Sequence, residues 1–207
     1  MGGFIKKNMV QNPYQNALLP APVGGGYSDP DYWIWCGSVV QGEDGAYHMF
    51  ASRWPKDLGF GANWLFNCEI VRASSKNPEG PYTFQEVVLG RRGRTFFDGM
   101  NVHNPYIRKW NKTYYLYYMG TTFGGPIPGP GDEVDSSRFT EVWNRKRIGL
   151  ATAPSVFGPW TRCDEPLISP RDCSHWDCTA TTNPAVAIQP DGTTYMLYKS
   201  RSFADGP

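Results

Sequence analysis

The sequence predicts an all-β chain built from a repeated four-stranded unit, and three observations lead there. Aromatic residues make up 15% of the 207 residues, with eight Trp, twelve Tyr and eleven Phe. Twenty-three Gly and eighteen Pro punctuate them, a composition of short strands and tight turns rather than long amphipathic helices. The third observation is that the chain repeats itself.

The repeat is read most directly in its second half. Ile70-Val71-Arg72-Ala73-Ser74 aligns with Ile148-Gly149-Leu150-Ala151-Thr152 at an offset of 78 residues. Without a gap, Glu79-Gly80-Pro81-Tyr82-Thr83 then falls on Phe157-Gly158-Pro159-Trp160-Thr161. Each copy reads as strand, polar connection, Gly-Pro turn, aromatic, strand. Glu79 therefore belongs to an outer turn, although a Glu before Gly-Pro looks like a catalytic acid.

A hairpin precedes each copy. Ser38-Val39-Val40-Gln41 leads through Glu43-Asp44-Gly45 to Tyr47-His48-Met49-Phe50. Tyr106 to Lys109 leads through Asn111 to Tyr114-Tyr115-Leu116-Tyr117-Tyr118, and Ala185 to Ile188 leads through Asp191-Gly192 to Tyr195-Met196-Leu197-Tyr198. A β-branched strand, an Asp-Gly or Asn turn and an aromatic strand make a hairpin. The short apolar first strand is expected to be buried on both faces.

A hairpin plus two strands is one blade of a β-propeller, stacked radially on its neighbours. Residues 1–30 form a lead-in, and residues 31–207 hold blade one (about 31–89), blade two (about 98–168) and half of blade three (about 177–207). Two and a half blades leave strand edges and radial faces bare, so the natural protein is expected to continue for about 100 residues or more. The Gly- and Pro-rich stretch 124–131 reads as a long loop inserted in blade two, either shaping a cleft or acting as a spacer.

Charge narrows the function classes. Twenty basic against nineteen acidic residues, net +1, give no nucleic-acid or membrane-surface signature. Five cysteines form no disulfide framework or paired zinc spacing, and reduced structural thiols are expected. Residues 1–20 lack the apolar segment of a signal peptide and no run is long enough to span a membrane, which weighs for the cytoplasm. No cofactor or metal motif is present, so no cofactor is expected.

The candidate site lies just before each first strand. Asp31, Asp98 and Asp177 each precede a Gly-Ser or Asn-Pro step by six residues. First strands of propeller blades line the central channel, so the three carboxylates are expected to approach one axial pocket. Converging carboxylates serve glycosidic bond cleavage as base or nucleophile, acid and pKa tuner. Trp33, Trp35 and Trp176 flank these segments and suit a sugar's apolar face, with His103, Asn104 and Asn183 at the same rim. Arg53 and Arg201, both in Ser-Arg steps, suit hydroxyls or an acidic sugar. Turn capping by the aspartates, inter-blade packing by the tryptophans and surface ion pairs by the arginines explain the same residues.

The run Ile148-Gly149-Leu150-Ala151-Thr152-Ala153-Pro154 on to Phe157-Gly158-Pro159-Trp160-Thr161 resembles a blade of glycoside hydrolase family 43 and its relatives in families 32 and 117. So do the hairpins opening His103-Asn104-Pro105 and Thr182-Asn183-Pro184. Asp31 to Ser38 and Phe50 to Pro55 resemble a bacterial subgroup labelled glycoside hydrolase family protein. The resemblance runs from about Tyr27 to Phe203. It implies five blades, a funnel-shaped axial site and three acids: an Asp base, a pKa-tuning Asp and a Glu general acid, and it allows an axial calcium ion. Asp31 is the nearest match to the base. The family's Asp beside Pro is replaced here by Gly37, Asn104 and Asn183, and the Glu has no match in this sequence. The expectation is an O-glycosyl hydrolase acting on an oligosaccharide or glycoside, without its complete catalytic set in this chain. A non-catalytic carbohydrate-binding propeller and a glycoside phosphorylase are the alternatives.

Overall fold

The computed structural model describes residue 17 and residues 19–201. Most of the segment read for a signal peptide, and the last six residues assigned to blade three, lie outside the described residues. Among the described residues, ten strands form three antiparallel sheets. In the first, β1 (Tyr32–Gln41), β2 (Tyr47–Pro55), β3 (Glu69–Ser75) and β4 (Thr83–Leu89) pair in sequence order. β5 (Asn101–Trp110), β6 (Thr113–Thr121), β7 (Arg147–Ala153) and β8 (Thr161–Arg162) repeat that order, and β9 (Thr182–Ile188) pairs with β10 (Thr194–Lys199).

The sheets stack through their first strands, with β5 between β1 and β9. This placement decides which first strand is buried. β5 is enclosed over its first half, whereas β1 is half exposed and β9 alternates buried and exposed positions. The expectation of first strands buried on both faces therefore holds for β5, which has a blade on each side. The aromatic strands β2 and β6 are the more uniformly buried ones, each lying second in its sheet.

Phe50, Ile70, Val102, Ile107, Tyr114, Leu116 and Tyr118 form the core between the first two sheets. Each such side chain contributes about 1.5–3 kcal/mol through removal from water. Polar ties fix the register of the stack. Ser52 Oγ accepts from Asn104 N at 2.9 Å, Ser38 Oγ accepts from Ile107 N at 3.1 Å, and Asn101 Oδ1 accepts from Cys68 N at 2.6 Å. Glu43, in the first hairpin turn, accepts from Tyr114 Oη at 2.7 Å and from Ser155 Oγ.

Two helical insertions interrupt the β pattern. After β2 come a 3₁₀ turn (Lys56–Leu58) and the single-turn helix α1 (Trp64–Asn67). The stretch 124–131 is irregular, as expected for a loop, and is followed by helix α2 (Ser136–Asn144), whose N-terminus Asp135 caps by accepting from Arg138 N at 2.9 Å. Phe139, Val142 and Trp143 share one face of α2 at i, i+3, i+4 spacing. That face packs with Leu65, Phe66, Met100 and Phe123 into a second core cluster. No helix among the described residues is long and apolar enough to cross a membrane.

Candidate functional site

The strand register corrects the repeat by one residue. Each first strand carries a bulge: pairing skips between Trp35 and Ser38, between His103 and Tyr106, and between the partners of Leu197 and Lys199 in β9. Inside each bulge one residue adopts left-handed backbone: Cys36 at φ 53°, Asn104 at 51° and Asn183 at 53°. Cys36, not Gly37, is thus the blade-one counterpart of Asn104 and Asn183. The same shift pairs Asp98 and Asp177 with Pro30 rather than Asp31, and Arg53 with Ser200 rather than Arg201.

The three aspartates do not meet. Asp31 is exposed, in a shallow groove with Pro30, Tyr32, Pro55, Lys56 and Asp57. Asp98 is fully buried and accepts from Arg92 Nε and Tyr118 Oη, both at 2.7 Å, while Arg162 Nη1 approaches to 3.4 Å. A side chain at Gly120 would place its Cβ 2.3 Å from that of Asp98, so glycine leaves room for the carboxylate. Asp177 repeats the arrangement, accepting from Arg171 Nε at 2.7 Å and Tyr198 Oη at 2.6 Å. The Arg sits six residues before the Asp in both copies. These carboxylates have their acceptor capacity taken up within their own blades, which is the turn-fixing reading of the motif.

The cavity lies elsewhere on the same first strands. It encloses about 290 Å³ and is lined by Trp35, Trp54, Phe60, Trp64, His103, Asn104, Trp143, Lys146, Asn183 and Lys199. Its residues come from β1, β2, β5, β9 and β10, from both helical insertions, and from the connection into β7. Four of the residues expected at the site meet here: Trp35, His103, Asn104 and Asn183. Two more stand against its walls. Trp33 packs edge-on to Phe60 with centroids 5.3 Å apart, and the Arg201 guanidinium lies 4.0 Å from the Trp143 centroid. Arg53 is turned away, donating to Glu69 at 2.8 Å under Tyr32 and Phe84, and Trp176 stacks on Tyr198, half exposed.

Two features of the cavity are chemically unusual. His103 is 3% exposed beside Trp64 and Trp54, and among the described residues neither ring nitrogen meets a partner in good hydrogen-bond geometry, although the Asn104 side chain lies near enough to favour the protonated ring slightly. Burial, reinforced by the charge of Lys146, pushes its pKa down to about 3, so the ring is neutral at ordinary pH. Asn104 Oδ1 is also buried without a partner. Lys146, 2% exposed, places Nζ 3.2 Å from the Trp143 centroid. Burial, then the charges of Lys199 and Arg201, lower its pKa to about 6.

Among the described residues no carboxylate lines the cavity. Among the described residues, no group of three His, Cys, Asp or Glu side chains is placed to hold a metal ion. Sequence reasoning missed Trp54, Phe60, Trp64, Trp143, Lys146 and Lys199. The repeat alignment passed over the first five because they lie at the end of β2, in the insertions or just after α2. The apolar spacing behind Asp135 is the signal that finds α2 and with it Trp143.

No family model and no curated protein matches the sequence. Solved structures do. Zg3597, a family 117 glycoside hydrolase from the marine bacterium Zobellia galactanivorans, superposes with a TM-score of 0.62 at 21% identity, over 83% of this chain and 49% of its own. The GH43_1 enzyme from Xanthomonas citri in complex with xylotriose gives 0.51 at 18% identity, over 82% and 40%. CoXyl43, a GH43 β-xylosidase/α-arabinofuranosidase from a compost metagenome, gives 0.51 at 20% identity, over 83% and 45%. The chain spans less than half the length of these structures. Its fold is that of the five-bladed β-propeller glycoside hydrolases, of which it holds two complete blades and the first hairpin of a third.

Proposed function

We propose that the cavity between the first strands binds a sugar ring and forms the substrate-binding part of a glycoside hydrolase site. One observation carries this reading: an aromatic-walled cavity that holds buried, unpartnered polar atoms on His103 and Asn104. An unpaired buried polar group costs about 1–3 kcal/mol, a cost a hydroxyl-bearing ligand relieves. Indole faces supply the apolar contact a pyranose or furanose ring needs. The likeness to glycoside hydrolase structures supports the same reading at the level of fold.

Among the described residues no carboxylate lines the cavity, so the acid pair that hydrolysis requires is not assigned to it. That same observation favours one rival, a non-catalytic sugar-binding propeller. Titrating the chain with a panel of mono- and oligosaccharides, followed by Trp fluorescence, tests the binding claim. Saturable quenching that Trp64→Ala abolishes is expected. Absence of binding by any sugar contradicts it. Release of reducing sugar from a bound oligosaccharide separates hydrolase from binder.

A further inference from the structure

A neutral sugar leaves the charge of the cavity without a purpose. Lys146 and Lys199 line it, and Arg201 lies against its Trp143 wall, donating through Nη2 to Asn144 Oδ1 at 3.1 Å. Among the described residues none of the three cations has a carboxylate within salt-bridge distance. Sugar hydroxyls both donate and accept, and a site made for them offers acceptors as well as donors. Here ammonium and guanidinium donors are concentrated on one wall, and no described acid balances them.

Lys146 makes the imbalance costly. It is 2% exposed, with Lys199 and Arg201 near enough to disfavour its charge. With its pKa lowered to about 6, Lys146 gives up its proton readily near pH 7, and an anion bound beside it is what restores the ammonium form. The aromatic residues on the other walls, Trp35, Phe60 and Trp64, are where a ring would lie.

We propose that the cavity takes an anionic saccharide, a sugar ring carrying a carboxylate or a sulfate ester, whose oxyanion is held by Lys146 and Lys199 with Arg201 behind them. The proposal rests on the reading of the cavity as a sugar site and adds the substrate class to it. The ring seats among the tryptophans, and the anion pairs with cations that no described carboxylate neutralises. Arginine, bonded to Asn144, holds Trp143 in place beneath Lys146.

The test is calorimetric titration of the full chain with matched pairs: methyl glucuronide against glucoside, galacturonide against galactoside, mannuronide against mannoside. Glucose 6-sulfate and galactose 6-sulfate distinguish sulfate from carboxylate, and inorganic phosphate is a further arm. At least one anionic member should bind roughly ten- to a hundredfold more tightly than its neutral partner. That preference should collapse in Lys199→Gln, an exposed position where folding is not at stake, and in Lys146→Met. Equal or tighter binding of the neutral members overturns the anionic assignment and leaves the sugar site standing. Binding of phosphate more tightly than any sugar assigns the cations to free phosphate and overturns it as well. No binding by any sugar defeats the sugar-site reading itself.

Discussion

Asp98 has no exposed surface and accepts a hydrogen bond from Arg92 Nε at 2.7 Å. The pair closes the connection between β4 and β5 on itself, and Tyr118 Oη adds a bond from β6. Asp98→Asn leaves Arg92 and Arg162 without their buried acceptor. A loss of about 3 kcal/mol, the low end for a broken buried pair, is expected from urea unfolding, because Arg92 keeps its second partner Asp164 at 2.7 Å. Tyr118→Phe should cost about 1–2 kcal/mol. A stability unchanged by Asp98→Asn would restore a chemical rather than structural role for that carboxylate.

Acid should destabilise the fold through His103. Its pKa is lowered from the ordinary 6.5 to about 3, first by burial and then by Lys146. The unfolded chain therefore binds a proton that the folded one refuses between those values. Stability is full above about pH 6.5 and falls progressively as the pH drops toward 3. At pH 5 the His103 contribution to that loss is about 2 kcal/mol, and His103→Gln should flatten this part of the curve. A stability profile that His103→Gln leaves unchanged between pH 6.5 and 4.5 would contradict the burial argument.

Lys146 works in the other window. With its pKa lowered from 10.5 to about 6, stability should rise as the pH increases from about 6 to 10.5. Lys146→Met keeps the packing against Trp143 and removes the desolvated cation. It is expected to stabilise the chain by about 1–3 kcal/mol at pH 7, as removal of a functional but strained group commonly does. Thermal unfolding of the variant checks this, and a lowered midpoint would contradict it.

The bulges offer a stability test with no chemistry in it. Asn tolerates left-handed backbone better than other non-glycine residues, and blade one holds Cys36 there instead. Cys36→Asn should raise stability by about 1 kcal/mol, and Asn104→Ala should lower it by a similar amount. Urea midpoints for the two variants measure both. A loss on Cys36→Asn would show that the buried side of Cys36 outweighs its backbone strain.

The blade pattern was legible because strand alternation, Gly-Pro turns and aromatic strands recur at a fixed offset. The candidate site was only partly so. Trp35, His103, Asn104 and Asn183, which lie on the repeated first strands, are the expected residues that line the cavity. Trp64, Trp143 and Lys146 were not, because they sit on or beside insertions that no repeat marks. The aspartates misled for a physical reason. An Asp before a strand, supported by an Arg six residues earlier and a Tyr on the next strand, closes a turn as well as it builds an active site. In blade one the bulge shifts the frame by one residue, so Asp31 fell into the pattern by alignment without sharing its bonds.

The most direct test compares two substitutions with the tightest-binding sugar of the matched panel. Trp35 is half exposed in the cavity wall, and Asp31 is exposed in a separate groove. Titration calorimetry should show Trp35→Ala losing about 1–2 kcal/mol of binding with little change in stability, while Asp31→Asn keeps the affinity of the native chain. Undiminished binding by Trp35→Ala together with its loss in Asp31→Asn would place the sugar at the aspartate groove and contradict the account.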